Sequence, residues 1–290
     1  MTAYSGPRGL MCRRLLPGAC VVLVGAHVAF AQDAARAGQG SADSGRDVAS
    51  GQDEPGAEAS GWRFEFAPYL WAVSLDGDAR VAGEPISISA PFTETLADSD
   101  TLIGLMGQVE VGYDRWSLLI DGAYTEIRMD DVQGRVGRGQ IDAEASLAWL
   151  ELGGAAQLFE ETIGHDDRRR ATLDVIGGAR LTSIEIDLDF ERGGAAGDDE
   201  TWVEPFVGAR SAIDVSDSLV FRLRGDVGGF GAGSEFSWSA SAVLGWSFPL
   251  GSAEATVFGG YRALSQDYED GEFEWDVISH GPIIGVNFAF

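Results

Sequence analysis

The stretch Phe236–Phe248 reads FSWSASAVLGWSF, and its alternation decides the fold. Phe236, Trp238, Ala240, Ala242, Leu244, Trp246 and Phe248 share one face of an extended strand. Ser237, Ser239, Ser241, Val243, Gly245 and Ser247 share the other. The apolar face is aromatic at both ends and aliphatic in the middle. A soluble sheet accepts the alternation but gives no reason for rings at the ends. A bilayer does, because a tryptophan ring is apolar, its N–H is polar, and it settles at the headgroup level. Twelve strand steps cover roughly 40 Å, and a tilt of about 40° reduces this to roughly 30 Å of height. Phe236, Trp238, Trp246 and Phe248 then form an aromatic girdle around an apolar band about 25 Å tall.

The same period of two recurs from Trp62 to Phe290. It predicts ten strands, at about 62–75, 102–114, 115–129, 139–158, 170–183, 201–214, 218–229, 235–248, 253–266 and 273–290. In the fourth the parity changes near Trp149 and Leu150, which suggests a bulge. The connections 114–115, 215–217 and 249–252 are tight, whereas 76–101, 130–138, 184–200 and 267–272 are longer and rich in Asp, Glu and Gly. Short turns on one side and long loops on the other are the plan of outer-membrane barrels. Two connections break the rule, 159–169 being long for its side and 230–234 short. Residues 76–91 can pair as an extra hairpin, DGDARV against EPISISA. The expected fold is therefore an all-β, antiparallel up-and-down transmembrane barrel of about ten strands, within a range of eight to twelve. A soluble sandwich or a lipocalin-like barrel shows the same alternation with inside and outside exchanged. Two features favour the membrane: the less apolar faces carry charges in mid-strand, and the last strand ends on Ile284, Val286, Phe288 and Phe290 at alternate positions behind Pro282.

The chain opens with Arg8, Arg13 and Arg14 and then the apolar run LLPGACVVLVGAHVAFA, ending in Ala29-Phe30-Ala31. This is the layout of a secretory signal peptide over 1–31, cleaved after Ala31. The alternatives are a single anchor, for which the run is short and broken by Pro17 and Gly18, and a lipoprotein at Cys20, which lacks the leucine three positions earlier. Both cysteines, Cys12 and Cys20, lie in this segment, so the expected mature chain has no disulfide and no thiolate metal site. Residues 32–61 hold no aromatic, Leu or Ile and a single Val. Such a segment buries too little to order itself and reads as a disordered periplasmic tail.

All 20 basic residues are arginines, and without the three in the signal 17 bases face 46 acids, a net charge of −29. That charge disfavours nucleic acid as a partner. It fits soluble acidic loops, or carboxylates that hold divalent cations at an outer rim.

PYLWAVSLDGDARVAG at 68–83, WVEPFVGAR at 202–210, RGDVGGFGAGSEFSW at 224–238 and GYRALSQDYEDG at 260–271 resemble a group of uncharacterised proteobacterial outer-membrane β-barrel proteins, in the style of the small OmpA/OmpW-type barrels. The terminal pattern of Ile284, Val286, Phe288 and Phe290 is similar to the signal recognised by the outer-membrane barrel assembly machinery. The resemblance spans about Gly61 to Phe290 and implies fold and location, in the outer membrane of a Gram-negative bacterium among lipids and lipopolysaccharide. It implies no activity.

If the apolar face meets lipid, the other lines the lumen. That face carries Arg63, Arg180, Arg210, Arg222, Arg224 and Arg262 against Glu65, Glu110, Asp121, Asp174, Glu204 and Asp226. Arginine suits such pairing because its planar fork binds carboxylates in two places. The expectation is a filled, charge-paired lumen in a barrel with a structural or surface-interaction role. The alternatives are a narrow pore for ions or small solutes and, less favoured, an enzyme acting on lipid or peptide. For the enzyme the chain offers His165, in a polar turn, and His280, beside Ser279 within the expected span. Adjacent strand residues point to opposite faces, so Ser279 and His280 make no triad. No catalytic residue and no cofactor are expected. Asp267, Glu269, Asp270 and Glu272 form a weak candidate for Ca²⁺ or Mg²⁺ in an outer loop, since hard cations take carboxylate oxygens, but the spacing fails the EF-hand pattern.

Overall fold

The computed structural model describes residues 61–81, 83–92, 106–132, 141–164, 169–190 and 195–290. The signal reading at 1–31 and the tail reading at 32–61 lie outside them, apart from Gly61. The chain forms β1 (Trp62–Trp71), β2 (Ser74–Val81), β3 (Glu84–Ala90), β4 (Met106–Tyr113), β5 (Trp116–Val132), β6 (Ile141–Ile163), β7 (Arg169–Phe190), β8 (Ala195–Asp214), β9 (Leu219–Ala232), β10 (Ser234–Leu250), β11 (Ala253–Asp270) and β12 (Phe273–Ala289). β1 and β4 to β12 make a closed, antiparallel, ten-stranded barrel, sealed by pairing of β1 with β12. We call the end where β1 begins and β12 finishes the near end.

The predicted hairpin at 76–91 is present as β2 and β3. β2 continues the line of β1, since Trp71 faces Ile283 and Ser74 faces His280 in one unbroken register along β12. The line breaks at Ala72-Val73, where the Ala72 amide donates to the Pro282 carbonyl at 3.0 Å. A side chain at Gly281 would collide with the Ala72 carbonyl oxygen, so only glycine lets the two strands approach there.

β6, β7 and β8 run for 23, 22 and 20 residues, about twice what crosses a bilayer. Several connections read as long acidic loops are therefore strand. β7 and β8 cover most of 184–200, and β11 reaches Asp270 before a tight turn at Gly271-Glu272. At the near end β6 likewise continues to Ile163 and pairs there with the start of β7 at Arg169.

Each long strand reverses its polarity partway along. On β7 the outward residues Leu173, Val175, Ala179 and Leu181 give way to Ser183, Glu185 and Asp187. The inward residues change the opposite way, from Asp174 and Arg180 to Ile184 and Ile186. On β12 the outward Phe288, Val286, Ile284 and Pro282 are followed by His280, Asp276 and Glu274, while the inward face passes from Asn287 to Val277, Trp275 and Phe273. This explains the parity change near Trp149 and Leu150, which is no bulge. β6 stays in register with both neighbours from Ala143 to Ala156, and its irregularity towards β7 lies at Gln157/Phe159. Trp149 and Glu151 share the inward face, and what changes between them is the polarity wanted inside.

The far half of the barrel is thus filled by an apolar core. Trp71, Leu75, Val81, Ile86, Ile88, Trp149, Ile184, Ile186, Trp202, Phe273, Trp275 and Val277 are all buried in one cluster. β2 and β8 come into contact across the interior. Tyr268 on β11 stacks on Trp202 of β8 at 4.1 Å and 7°, bridging the side where the short β9–β10 hairpin leaves the wall low. That hairpin turns tightly because Gly229, Phe230, Gly231 and Gly233 all adopt left-handed backbone.

Candidate functional site

Alternation on β1 and β4 to β12 turns the predicted lumen residues inward, and nine of the twelve form ion pairs, six in one network built on Arg180, Arg224 and Arg262 and three in a separate Arg210–Glu110–Asp174 group. At its centre Arg180 is inaccessible to solvent. Its Nε reaches Glu151 at 2.9 Å, Nη1 reaches Glu204 at 3.0 Å, and Nη2 reaches Asp226 at 2.7 Å. Arg224 donates to Glu151 at 2.6 Å and to Asp226 at 3.2 Å. Glu204 also accepts from Ser237 at 2.8 Å and from Ser234. Nearer the near end, Arg210 holds both oxygens of Glu110 in its fork, at 2.6 and 2.7 Å, and Asp174 at 2.7 Å. Towards the far end Arg262 donates to Asp121 at 2.9 Å and to the Tyr69 hydroxyl at 3.0 Å, while Tyr69 donates to Asp121 at 2.7 Å.

Where the charged and apolar halves meet, arginines rest on aromatic rings. The Arg262 guanidinium lies 5.1 Å from the Trp71 ring and 5.9 Å from that of Trp149. These indoles meet edge to face at 81°. Phe206 carries Arg180 and Arg224 at 5.3 and 5.6 Å. A ring face is the apolar surface that a guanidinium tolerates best.

The other three predicted residues stand apart. Arg63 donates to the Asp114 carbonyl at 2.9 Å, and Glu65 accepts from Asn287 at 2.8 Å. Arg222 has no hydrogen-bond or ion-pair partner among the described residues. Glu151 was missed, yet it binds Arg180, Arg224 and, at 3.4 Å, Arg262. Its signal was its place two residues from Trp149, masked by the reversal of polarity. Tyr69, Ser234 and Ser237 were missed as well; their hydroxyls become informative only once the facing carboxylates are known.

A cavity of about 530 Å³ occupies the near half of the lumen. Its walls carry the inner faces of Glu110, Asp121, Glu151 and Arg210, and its rim is formed by near-end residues such as Arg115, Asp214 and Glu254. The Tyr69–Asp121–Arg262 group and the Trp71–Trp149 pair close it from the far half.

On the outside, Phe236, Trp238, Trp246 and Phe248 all face outward, with Trp246 among the most exposed side chains at 61%. Ile284, Val286, Phe288 and Phe290 face outward too, and Phe290 pairs its backbone with Phe64. His280 also lies on this surface, at the level where the outward face turns polar. The Tyr261 hydroxyl is 2.6 Å from its Nδ1, and Asp76 is 2.9 Å from its Nε2. Asp76 can only accept, so Nε2–H donates to it, and in the neutral ring Nδ1 then accepts from Tyr261. Ser279 is buried inside the wall, and His165 lies outside the described residues.

The metal candidates do not converge. Asp267 and Glu269 are outward residues of β11, Asp270 ends that strand, and Glu272 lies in the next turn. Among the described residues no group of three or more such side chains is placed to hold an ion. Instead Asp267 faces Asp276, and Asp276 faces Asp78, in a row of like charges across three strands. Partial burial, then Asp276, Glu235, Glu274 and Glu269, raise the Asp267 carboxyl above its ordinary range.

No family model and no curated protein matches the chain. Among solved structures, the outer-membrane protease OmpT from Escherichia coli superimposes with a TM-score of 0.49 at 10% identity, over 80% of this chain and 97% of that one. Ail, the attachment invasion locus protein of Yersinia pestis, in complex with the heparin analogue sucrose octasulfate, gives 0.34 at 10%, over 80% and 100%. Neisserial surface protein A gives 0.29 at 11%, over 80% and 98%. At such identities the likeness is one of fold alone.

Replacing Arg180 with Met leaves Glu204 buried without a cation and takes one partner each from Glu151 and Asp226, and a loss of roughly 3–5 kcal/mol is expected. Arg63→Met, which forfeits one exposed hydrogen bond, should cost less than about 1 kcal/mol. Urea midpoints of the refolded variants, read by heat-modifiable gel mobility, check the contrast. For Asp267 the folded carboxyl binds its proton more tightly than the unfolded one, so its contribution to stability is complete below the unfolded pKa and lost as pH rises through the folded one. Asp267→Asn should therefore stabilise the β11–β12 tip at pH 7 by a few tenths of a kcal/mol, less in high salt and less at acid pH. Proteolysis rates at Asp270–Phe273 measured at pH 7 and pH 4 read this directly.

Proposed function

We propose that this chain is an integral outer-membrane protein of a Gram-negative bacterium, with a sealed barrel and a structural or surface-interaction role. The observation that carries the reading is the joint reversal of polarity along the strands. In the near half large apolar side chains such as Leu118, Leu152, Val203, Leu244 and Ile284 stand exposed on the outside while carboxylates and guanidiniums are buried within. An aqueous setting makes both arrangements costly. A bilayer around the near half removes the first cost, and Arg–carboxylate pairing offsets the second. In the far half the ordinary soluble pattern returns, which fits strands that rise out of the membrane into water. The exported layout of residues 1–31 and the outward terminal phenylalanine agree with this location.

The filled interior favours the sealed barrel over a narrow pore. Above the cavity a path along the lumen meets the Arg262 group, the Trp71–Trp149 pair and then the packed apolar core. The surface offered outward is acidic, with Glu185, Asp187, Asp267, Glu269, Glu274 and Asp276 on its outer face, so lipopolysaccharide bridged by divalent cations, or a basic partner, fits it best.

Two measurements test the two parts of the reading. Single cysteines at Leu181 and Glu185, four residues apart on one face of β7, should divide in vesicles. A charged maleimide should label Glu185→Cys within minutes and leave Leu181→Cys protected; equal labelling overturns the membrane level. In planar bilayers the refolded protein should show no stable open steps. Ion-selective steps that change in Arg222→Ala or Arg224→Ala would establish the pore instead.

A further inference from the structure

The cavity of about 530 Å³ falls in the size range of small-molecule sites and is shut from the far half of the barrel. Its charges are unequally engaged. Glu65, Glu110, Asp121, Glu151 and Asp174 each accept from a side-chain donor of the wall. The lining carboxylate without a partner, Glu254, is exposed at the rim, one residue into β11. Among the inward-facing arginines of the described strands, Arg222 alone has no acceptor. Its register explains this: Ala212 on β8 and Val243 on β10 stand opposite it and offer no oxygen. The nearby Glu110 has both oxygens in the fork of Arg210. Arg222 therefore presents a guanidinium fork without a hydrogen-bonded acceptor to a cavity whose wall also includes the apolar cluster of Leu119, Ile176 and Phe206.

We propose that this cavity binds a small organic anion, a monocarboxylate with an apolar body, that enters from the near end. Its carboxylate takes the fork of Arg222 in the bidentate geometry that guanidinium favours. Its body lies on Leu119, Ile176 and Phe206. The site is independent of conduction, because it needs one opening and the packed far half supplies the other wall.

The test is calorimetric titration of the refolded full chain in nanodiscs with 4-phenylbutanoate, against empty nanodiscs and against 4-phenylbutanol as the uncharged match. Saturable binding of the carboxylate is expected, weakened at least tenfold for the alcohol and at least tenfold in Arg222→Gln. Arg80→Gln, on the outer face of the far half, should leave it unchanged. If Arg222→Gln fails to refold, Ser241→Phe decides, because it fills the cavity from β10 and keeps Arg222. Loss of binding in that variant supports the site, and undiminished binding overturns it. The proposal also fails if the wild-type chain shows no saturable binding, or if Arg222→Gln binds as the wild type does.

Discussion

A guanidinium without solvent is tolerable only if its charge and its donors are met from every side, and Arg180 meets that condition with three carboxylates from three strands. The rest of the near half follows. Glu151 comes from β6, Glu204 from β8 and Asp226 from β9, so the ion pairs hold the wall together from within where a soluble protein would use an apolar core. Arg224 and Arg262 draw on the same Glu151, which makes the system collective. Removing one member strands several others.

The molecule joins two solutions to the problem of a closed sheet. Around the near half it is polar within and apolar without; around the far half it is the reverse. The join itself needs residues that accept both neighbours. Trp71, Trp149 and Phe206 do so, offering ring faces to arginines while belonging to the buried apolar clusters. Tyr261 and His280 do the corresponding work outside, where an apolar ring must end in a hydrogen bond.

Most of the architecture was legible in the sequence because the period of two survives the change of surroundings. Ten barrel strands, the tight near-end turns and the 76–91 hairpin could all be read from it, and so could the outward rings of Phe236–Phe248. The misreadings share one cause. Glu185, Asp187, Asp267 and Glu269 read as loop because acidic residues suggest irregular chain, whereas they lie on the outward face of β7 and β11. Glu151 escapes the pattern because the parity change near Trp149 and Leu150 reads as a bulge, whereas Trp149 and Glu151 share one face whose surroundings change between them. Arg222 could be placed in the lumen but not distinguished from its paired neighbours, since the absence of a partner depends on Ala212 and Val243, far away in the chain.

The seam between β12 and the line of β1 and β2 has a consequence for how the molecule comes into being. It is the longest-range pairing in the chain, matching Glu65 with Ala289 and Arg80 with Glu274. Hairpins β4 to β12 form between sequence neighbours, each closing a short loop. The seam has no such local route and must close a loop of about two hundred residues, at an entropic cost that grows slowly with length but is met all at once. Until then both free edges, and the apolar inner face of the far half, lie open together. Closure is therefore the committed event in the life of the chain, and a helper that held the two edges would act on kinetics without adding a single contact to the finished barrel.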